Sequence, residues 1–264
     1  MAQKRAKIIA LANNKGGVGK TTTAAAIGAN LARRGNDVLF VDADAQANLT
    51  LSFGIETLGI VYEIMRTPNR DTSGCEPESI KLTTSGAKVG KCDILTGNRQ
   101  LVGIETGIAS AQDKFTRLAA HLEYYRTKYD FIIIDTPPAI CALTLNALFA
   151  ADFVLIPTEP HTLATAGLAN LRQVIEEVAQ RKGKPTQYAV LLTAYSNRKG
   201  LHKLTADTIA KAGFNVFNTK IRECIAIGEA QSICADLYEY APKSNAAADY
   251  DAATGELVKA LKKL

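Results

Sequence analysis

The sequence predicts an α/β fold, with a mostly parallel, twisted sheet and helices on both of its faces. Three observations carry this prediction. Short, unbroken apolar runs rich in β-branched residues recur along the chain, as strands buried on both faces of a parallel sheet require. Helical stretches lie between them, and strand–helix alternation is the pattern of a parallel sheet. A glycine-rich loop at residues 13–22 (NNKGGVGKTT) joins the first apolar run to the first helical stretch.

The elements follow in order. Residues 7–12 (KIIALA), 38–41 (VLFV), 131–134 (FIII), 153–156 (FVLI) and 189–192 (AVLL) read as strands, and 92–95 (CDIL) and 214–217 (FNVF) as shorter ones. Residues 21–34 form an alanine-rich helix stopped by Gly35, since glycine ends helices readily. Residues 111–128 and 163–181 space their apolar residues at helical intervals, and 201–212 ends before Gly213. Residues 246–264 read as a closing helix interrupted at Gly255. Residues 67–90 are rich in Pro, Gly, Ser and Thr and read as a surface excursion.

The bulk numbers suit one compact domain over 1–264: 47% hydrophobic and 22% charged residues allow an ordinary core. No apolar run has membrane-spanning length and no signal-peptide pattern opens the chain, so the expectation is a cytoplasmic protein. The five cysteines form no C-x-x-C pair, which favours reduced thiols over disulfides or zinc. His121, His161 and His202 are scattered and suggest no metal cluster. The net charge of +5 is uneven. Residues 1–180 hold 18 Lys+Arg and 18 Asp+Glu, whereas residues 181–264 hold 13 against 8. That excess either faces an anionic partner or is simply solvated.

The loop carries the chemistry. Gly16, Gly17 and Gly19 let successive backbone N–H groups turn toward phosphate oxygens, with Val18 between them, and the helix that follows adds its positive end. Lys20 would reach the β- and γ-phosphates, the Thr21 hydroxyl would ligate Mg²⁺, and Thr22 would bond the α-phosphate. The ordinary pattern G-x-x-x-x-G-K-[ST] wants glycine at position 14, where this chain has Asn14, and beside it stands a second lysine, Lys15. Asp42 and Asp44 follow the second strand, on one side if the backbone stays extended. They suit a metal shell, and equally a helix cap. Asp135 ends an apolar strand, where a carboxylate reaches Mg²⁺ through water.

Residues 14–22 (NKGGVGKTT) resemble the deviant Walker A motif of the ParA/MinD family of ATPases. Residues 41–48 (VDADAQAN) and 131–138 (FIIIDTPP) resemble its next two motifs, and 156–168 and 243–250 (KSNAAADY) resemble its later segments, the last as in partition ATPases of the ParA/Soj type. The resemblance implies a P-loop NTPase fold that hydrolyses ATP with Mg²⁺, slowly until a partner stimulates it. It implies that Asp44 polarises the attacking water. It also implies that Lys15 crosses the interface of an ATP-bound homodimer to touch the partner's phosphates, as an arginine finger does. A solvated loop cation is the plainer use of Lys15.

The family's branches differ in target. The partition branch binds DNA without sequence preference and works with a ParB-like centromere-binding protein to segregate plasmids, mobile elements or chromosomes, on the nucleoid when ATP-bound. Arg198 and Lys199, with His202 and Lys203 close by, sit where such a protein carries a DNA-contacting arginine, and Arg181, Lys182 and Lys184 add charge. The next loop departs from the branch's IPRNVRLAEA: it reads IRECIAIGEA over 221–230, so Lys220 and Arg222 would have to substitute. The same loop often contacts the adenine. The alternative is a MinD-like membrane-cycling positioning ATPase. The end GELVKALKKL, with Lys259, Lys262 and Lys263, favours a packed or solvated helix over a membrane-binding one, so no membrane partner is expected. A metabolic or cofactor-maturation enzyme would need a substrate pocket that no motif marks. Cys141 lacks glycine neighbours and a matching second cysteine, and reads as a small core residue rather than an iron–sulfur ligand. Only twelve residues precede Asn13, so no operator-binding domain is expected there.

Overall fold

The computed structural model describes residues 5–67, 75–82 and 89–264. Its strands are β1 (Lys7–Leu11), β2 (Val38–Asp42), β3 (Glu78–Ser79), β4 (Cys92–Leu95), β5 (Phe131–Asp135), β6 (Phe153–Thr158), β7 (Gln187–Tyr195) and β8 (Val216–Arg222). They form one sheet in the order β3-β4-β2-β5-β1-β6-β7-β8. Every pairing is parallel except that of β3 with β4. The apolar runs predicted as strands thus lie side by side, with β1 between β5 and β6.

Helices cover both faces. They are α1 (Lys20–Arg33), α2 (Asn48–Ser52), α3 (Ile60–Arg66), α4 (Ile104–Ile108), α5 (Arg117–Tyr125), α6 (Ala142–Ala150), α7 (Ala164–Lys182), α8 (Gly200–Lys211), α9 (Ile225–Ser232), α10 (Leu237–Tyr240) and α11 (Asn245–Leu261). Successive residues of β1 alternate between the two faces. Ile8 and Ala10 join a core with Ile64, Leu122, Leu148, Leu171 and Ile209 from α3, α5, α6, α7 and α8. Ile9 and Leu11 join a second core with Ile27, Leu31, Tyr250 and Leu257 from α1 and α11. Burial on both faces is why these strands read as unbroken apolar runs.

Several boundaries differ from the sequence expectation. The edge strand β8 begins at Val216 and runs on through the polar Asn218 and Lys220, because its outer residues face solvent. Helix α5 starts only at Arg117. Residues before it close turns, with the Thr116 N–H donating to the Asp113 carbonyl at 2.8 Å. Gly255 does not interrupt α11, whose Tyr250, Leu257 and Leu261 are buried. Packing of that face outweighs the glycine penalty of about 1 kcal/mol. Part of the predicted excursion returns to the sheet: β3 pairs with β4, and Cys75 and Ile80 are buried. Its residues 68–74 and 83–88 lie outside the described residues.

Candidate nucleotide site

The loop leaves the C-terminal end of β1 and is tied to the neighbouring strand before it turns. The Asn13 amide donates to the Pro157 carbonyl at 2.8 Å, and its oxygen accepts the Lys15 N–H at 3.0 Å. Gly17 and Gly19 then take left-handed conformations, with φ of 73° and 83°. A side chain there would be strained, which is why glycines occupy these places. From the far side, the Thr193 hydroxyl donates to the Val18 carbonyl at 2.8 Å. The loop is therefore fixed by β6 and β7 as well as by its own sequence.

Lys20, the first residue of α1, is buried, and its ammonium donates back to the Lys15 carbonyl at 3.1 Å. Burial lowers its pKa, while the charges of Asp135 and Asp44 act to raise it. The Thr21 hydroxyl donates to Asp135 Oδ2 at 2.6 Å. Asp135 Oδ1 is buried with no hydrogen-bond partner among the described residues. Burial, then the neighbouring Asp42 charge, pushes the Asp135 carboxyl up to about 8.

Asp42 and Asp135 stand level on adjacent parallel strands. They are used differently. Both oxygens of Asp42 are engaged: Oδ2 accepts from the Thr50 N–H at 2.8 Å and the Thr50 hydroxyl at 2.7 Å, and Oδ1 accepts from the Asp44 N–H at 3.3 Å. Asp42 thereby satisfies the first turn of α2, the helix-capping use weighed in the sequence. Burial raises its pKa to about 6. Asp44 is engaged differently: its Oδ1 accepts the Gln46 N–H at 2.9 Å, and Asp44 lines the cavity over the loop, which Asp42 does not.

That cavity has a volume of about 600 Å³. Gly16, Gly17, Gly19, Lys20, Thr21 and Thr22 form its floor, and Asp44 and Pro138 part of its wall. Gln231 and Cys234 reach it from the last third of the chain, a contribution no motif signalled. A second cavity of about 270 Å³ shares Gly17, Gly19 and Thr22 and opens toward Ala194, Glu223, Cys224 and Ile227. It lies against the divergent 221–230 segment.

Lys15 stands apart from this group. Its side chain is 44% exposed and its ammonium lies 3.8 Å from the Glu159 carboxylate. Among the described residues no group of His, Cys, Asp and Glu forms a protein-only metal cage. Thr21 with the partnerless Asp135 oxygen is instead the open, oxygen-only set that suits a Mg²⁺ carrying its own waters and phosphate ligands. The residues present fit that ion.

The basic residues expected to meet DNA are only partly available. Arg198, Lys199 and Lys203 surround the start of α8, and Lys220 and Arg222 lie on β8 beside it. Lys199 is ion-paired with Glu223. Arg222 grips Asp249 with two N–H groups, at 2.9 and 2.7 Å. Lys220 rests 4.3 Å from the Tyr195 ring centroid. Among the described residues Arg198 and Lys203 are exposed and form no ion pair. His202 does not belong to this surface: it is buried, and its Nδ1 accepts the Ser196 N–H at 3.1 Å. Nor do Lys182 and Lys184. They lie at the opposite end of the strands, before β6 and β7 begin, where Lys182 donates to the Ala151 carbonyl at 2.6 Å and Lys184 meets Asp152. Cys141 is half-buried at the start of α6 and packs on the core.

A glycine loop between the central strand and its helix, with a carboxylate at the end of the adjoining strand, defines a P-loop nucleoside triphosphatase. Comparison with known proteins narrows the class. Residues 6–187 match a family model described as an AAA domain. The chain is 36% identical over 249 residues to the sporulation initiation inhibitor protein Soj of Bacillus subtilis, covering 92% of this chain and 95% of that one. It is 34% identical to the chromosome-partitioning ATPase Soj of Thermus thermophilus, covering 95% and 94%. A crystal structure described as cobyrinic acid a,c-diamide synthase from Mycobacterium smegmatis, with an ATP analogue and magnesium, superposes with a TM-score of 0.80 at 28% identity, covering 97% and 96%. The chain belongs to the ParA/Soj family of partition ATPases.

Proposed function

We propose that this chain is an ATP-driven switch for DNA partition that closes into a homodimer around Mg²⁺-ATP and opens on hydrolysis. The observation that supports it most is the Thr21–Asp135 pair with its spare carboxylate oxygen, Thr21 lying beside Lys20 on the floor of the cavity of about 600 Å³. The N–H groups of residues 16–22 cradle the phosphates. Lys20 gives up its bond to the Lys15 carbonyl to reach the β- and γ-phosphates, and Thr22 holds the α-phosphate. Thr21 and Asp135 would hold Mg²⁺. Asp42, with its oxygens already on Thr50 and Asp44, sets the position of the Asp44 segment. Bound Mg²⁺ would neutralise charge on the transferred phosphoryl group. Asp44, on the cavity wall, orients the attacking water. The second cavity, on the other side of the shared glycines, is the place for the base.

Lys15 is 44% exposed and does not line the cavity, which supports a reach toward a partner's phosphates over one toward its own. A cation arriving there ties closure to ATP and supplies charge that one subunit lacks. For DNA, Arg198 and Lys203 are the available contacts and Lys220 a third, whereas Lys199 and Arg222 must first leave Glu223 and Asp249. A ParB-like protein would trigger hydrolysis and release. The membrane alternative finds less support. The apolar residues Leu257 and Leu261 of the C-terminal helix are buried in the fold and so offer no apolar face to a membrane surface.

The test is the binding of a random-sequence duplex, followed by anisotropy with ATP, ADP or neither. Binding only with ATP, weakened by Arg198→Ala, is expected. ATP-dependent dimerisation without DNA binding in any state would overturn the DNA role, and sedimentation with anionic liposomes would then examine the membrane one.

A further inference from the structure

We propose that Gln231 is a positioning residue for the nucleotide, acting through the hydroxyl of Thr22; the inference rests on residues 13–22 being the phosphate loop. Gln231 lies near the end of α9, and its amide N–H donates to Thr22 Oγ1 at 2.9 Å. Both side chains line the cavity above the loop.

The direction of this bond matters. A hydroxyl has one proton and two lone pairs. With a lone pair of Thr22 taken by Gln231, its proton must go elsewhere. The usual destination for a helical threonine is the carbonyl four residues back. Here that is Val18, which lies before the helix and has one of its oxygen's two lone pairs already accepting the Thr193 hydroxyl. Because Thr22 is the acceptor in its bond with Gln231, its proton is available to an anionic oxygen in the cavity, where the phosphate nearest the nucleoside would sit.

Gln231 is also held in place. Beyond α9, Cys234 adopts a left-handed conformation, φ 55°, and its thiol donates to the Leu51 carbonyl at 3.3 Å. Asp236 then caps α10, accepting the Tyr238 N–H at 2.8 Å, and is ion-paired with Arg33 of α1. The segment after α9 is thus fastened to both α1 and α2, and the amide cannot swing far from Thr22. Gln231 in this way links α9, which contains residues 225–230 of the divergent segment, to the bound nucleotide.

The phosphate in question is common to ATP and ADP, so both should lose affinity together. Gln231→Leu is expected to raise the Kd of each roughly tenfold, the usual effect of misdirecting one hydrogen bond to an anion. The turnover number at saturation should stay the same, since this contact does not change during the reaction. Gln231→Glu has nearly the same shape but only acceptors. It would draw the Thr22 proton to itself and weaken binding further. Titration of a fluorescent ADP, displaced by ATP, measures this. The same change in a Thr22→Val background should add nothing, whereas a purely structural staple would lower the melting temperature without this dependence. An unchanged Kd in Gln231→Leu, or an equal rise in both backgrounds, overturns the proposal. Lys20→Ala separates it from its premise: if Lys20→Ala binds nucleotide normally, the phosphate-loop reading falls; if Lys20→Ala abolishes binding while Gln231→Leu does not weaken it, the Gln231 inference alone falls.

Discussion

Asp135→Asn should make the nucleotide-free protein more stable and less active at once. In the absence of Mg²⁺ the Asp135 carboxylate is fully buried, one oxygen is without a partner, and Asp42 stands level with it on the next strand. Burial and that neighbour move its pKa from an ordinary 3.8 to about 8. At about 1.4 kcal/mol per pH unit this sets a ceiling of about 6 kcal/mol on the penalty for ionising it. The Lys20 charge is already contained in that shift; water entering from the cavity screens most of the remainder, which leaves about 2 kcal/mol. Asparagine keeps the bond from Thr21 and removes the charge. The sign follows from proton linkage. Between pH ~4 and ~8 the folded protein holds a proton that the unfolded chain has released, so wild-type stability falls as pH rises through this window. The advantage of Asp135→Asn should therefore be absent at about pH 4, grow upward, and level off above about pH 8. For a chain of this size it amounts to a rise of roughly 4–8 °C in Tm. The assay is thermal unfolding in EDTA across that pH range, with ATP hydrolysis measured in parallel. A variant at pH 8.5 no more stable than wild type would refute the argument that the pocket is held short of a cation.

Lys15→Ala should bind nucleotide normally yet lose turnover by on the order of a thousandfold; unaffected turnover would end the across-interface role. Cys234 is exposed and lines the cavity mouth, so its alkylation by a maleimide should slow when ATP or ADP is bound, and mass spectrometry of the labelled peptide would show this. Equal labelling with and without bound nucleotide would mean that the ligand does not fill this side of the cavity. Asp152 accepts from Arg126 at 2.7 Å and from the Ile8 N–H at 3.0 Å. Burial by itself would raise its pKa, but Arg126, Ile8 and Lys184 together hold it below the ordinary value. Asp152→Asn should therefore cost about 2 kcal/mol near neutrality, a loss that disappears as pH falls below the carboxylate range. Denaturation at pH 7 and pH 3 would check it, and an equal loss at both would place the effect in packing.

The sequence makes the central strands and the loop legible for one physical reason: burial on both faces leaves an unbroken apolar run, and a phosphate loop leaves glycines. The edge strand β8 is half legible, because its outward residues, Asn218 and Lys220, carry no apolar signal. Helix α6 (ALTLNALFA) shows little polar contrast around its circumference and gives no helical periodicity to read. Within the site, Lys20, Thr21 and Asp135 can be found from motif order alone. The separation of Asp42 from Asp44 cannot, since it depends on Thr50 capturing one of two similar carboxylates. Gln231 and Cys234 are invisible in the sequence, because nothing local shows that α9 folds back over the loop. The basic residues mislead most. Lys199 and Arg222 count as positive in a composition, yet Glu223 and Asp249 occupy them in the fold, and His202 beside them is buried against a backbone amide.

The sheet order also governs how the protein can be made. Strand β1 leaves the ribosome well before the strands it pairs with, β5, which begins at Phe131, and β6, which ends at Thr158. At ordinary ribosomal speeds that gap amounts to roughly six to thirty seconds. During this interval β1 has neither edge paired, and the glycine loop has no Asn13 anchor on Pro157 and no Asp135 for Thr21. The loop that opens the sequence is therefore among the last parts of the nucleotide site to take shape. A nascent chain stalled before β6 should display an apolar strand to chaperones and bind no ATP.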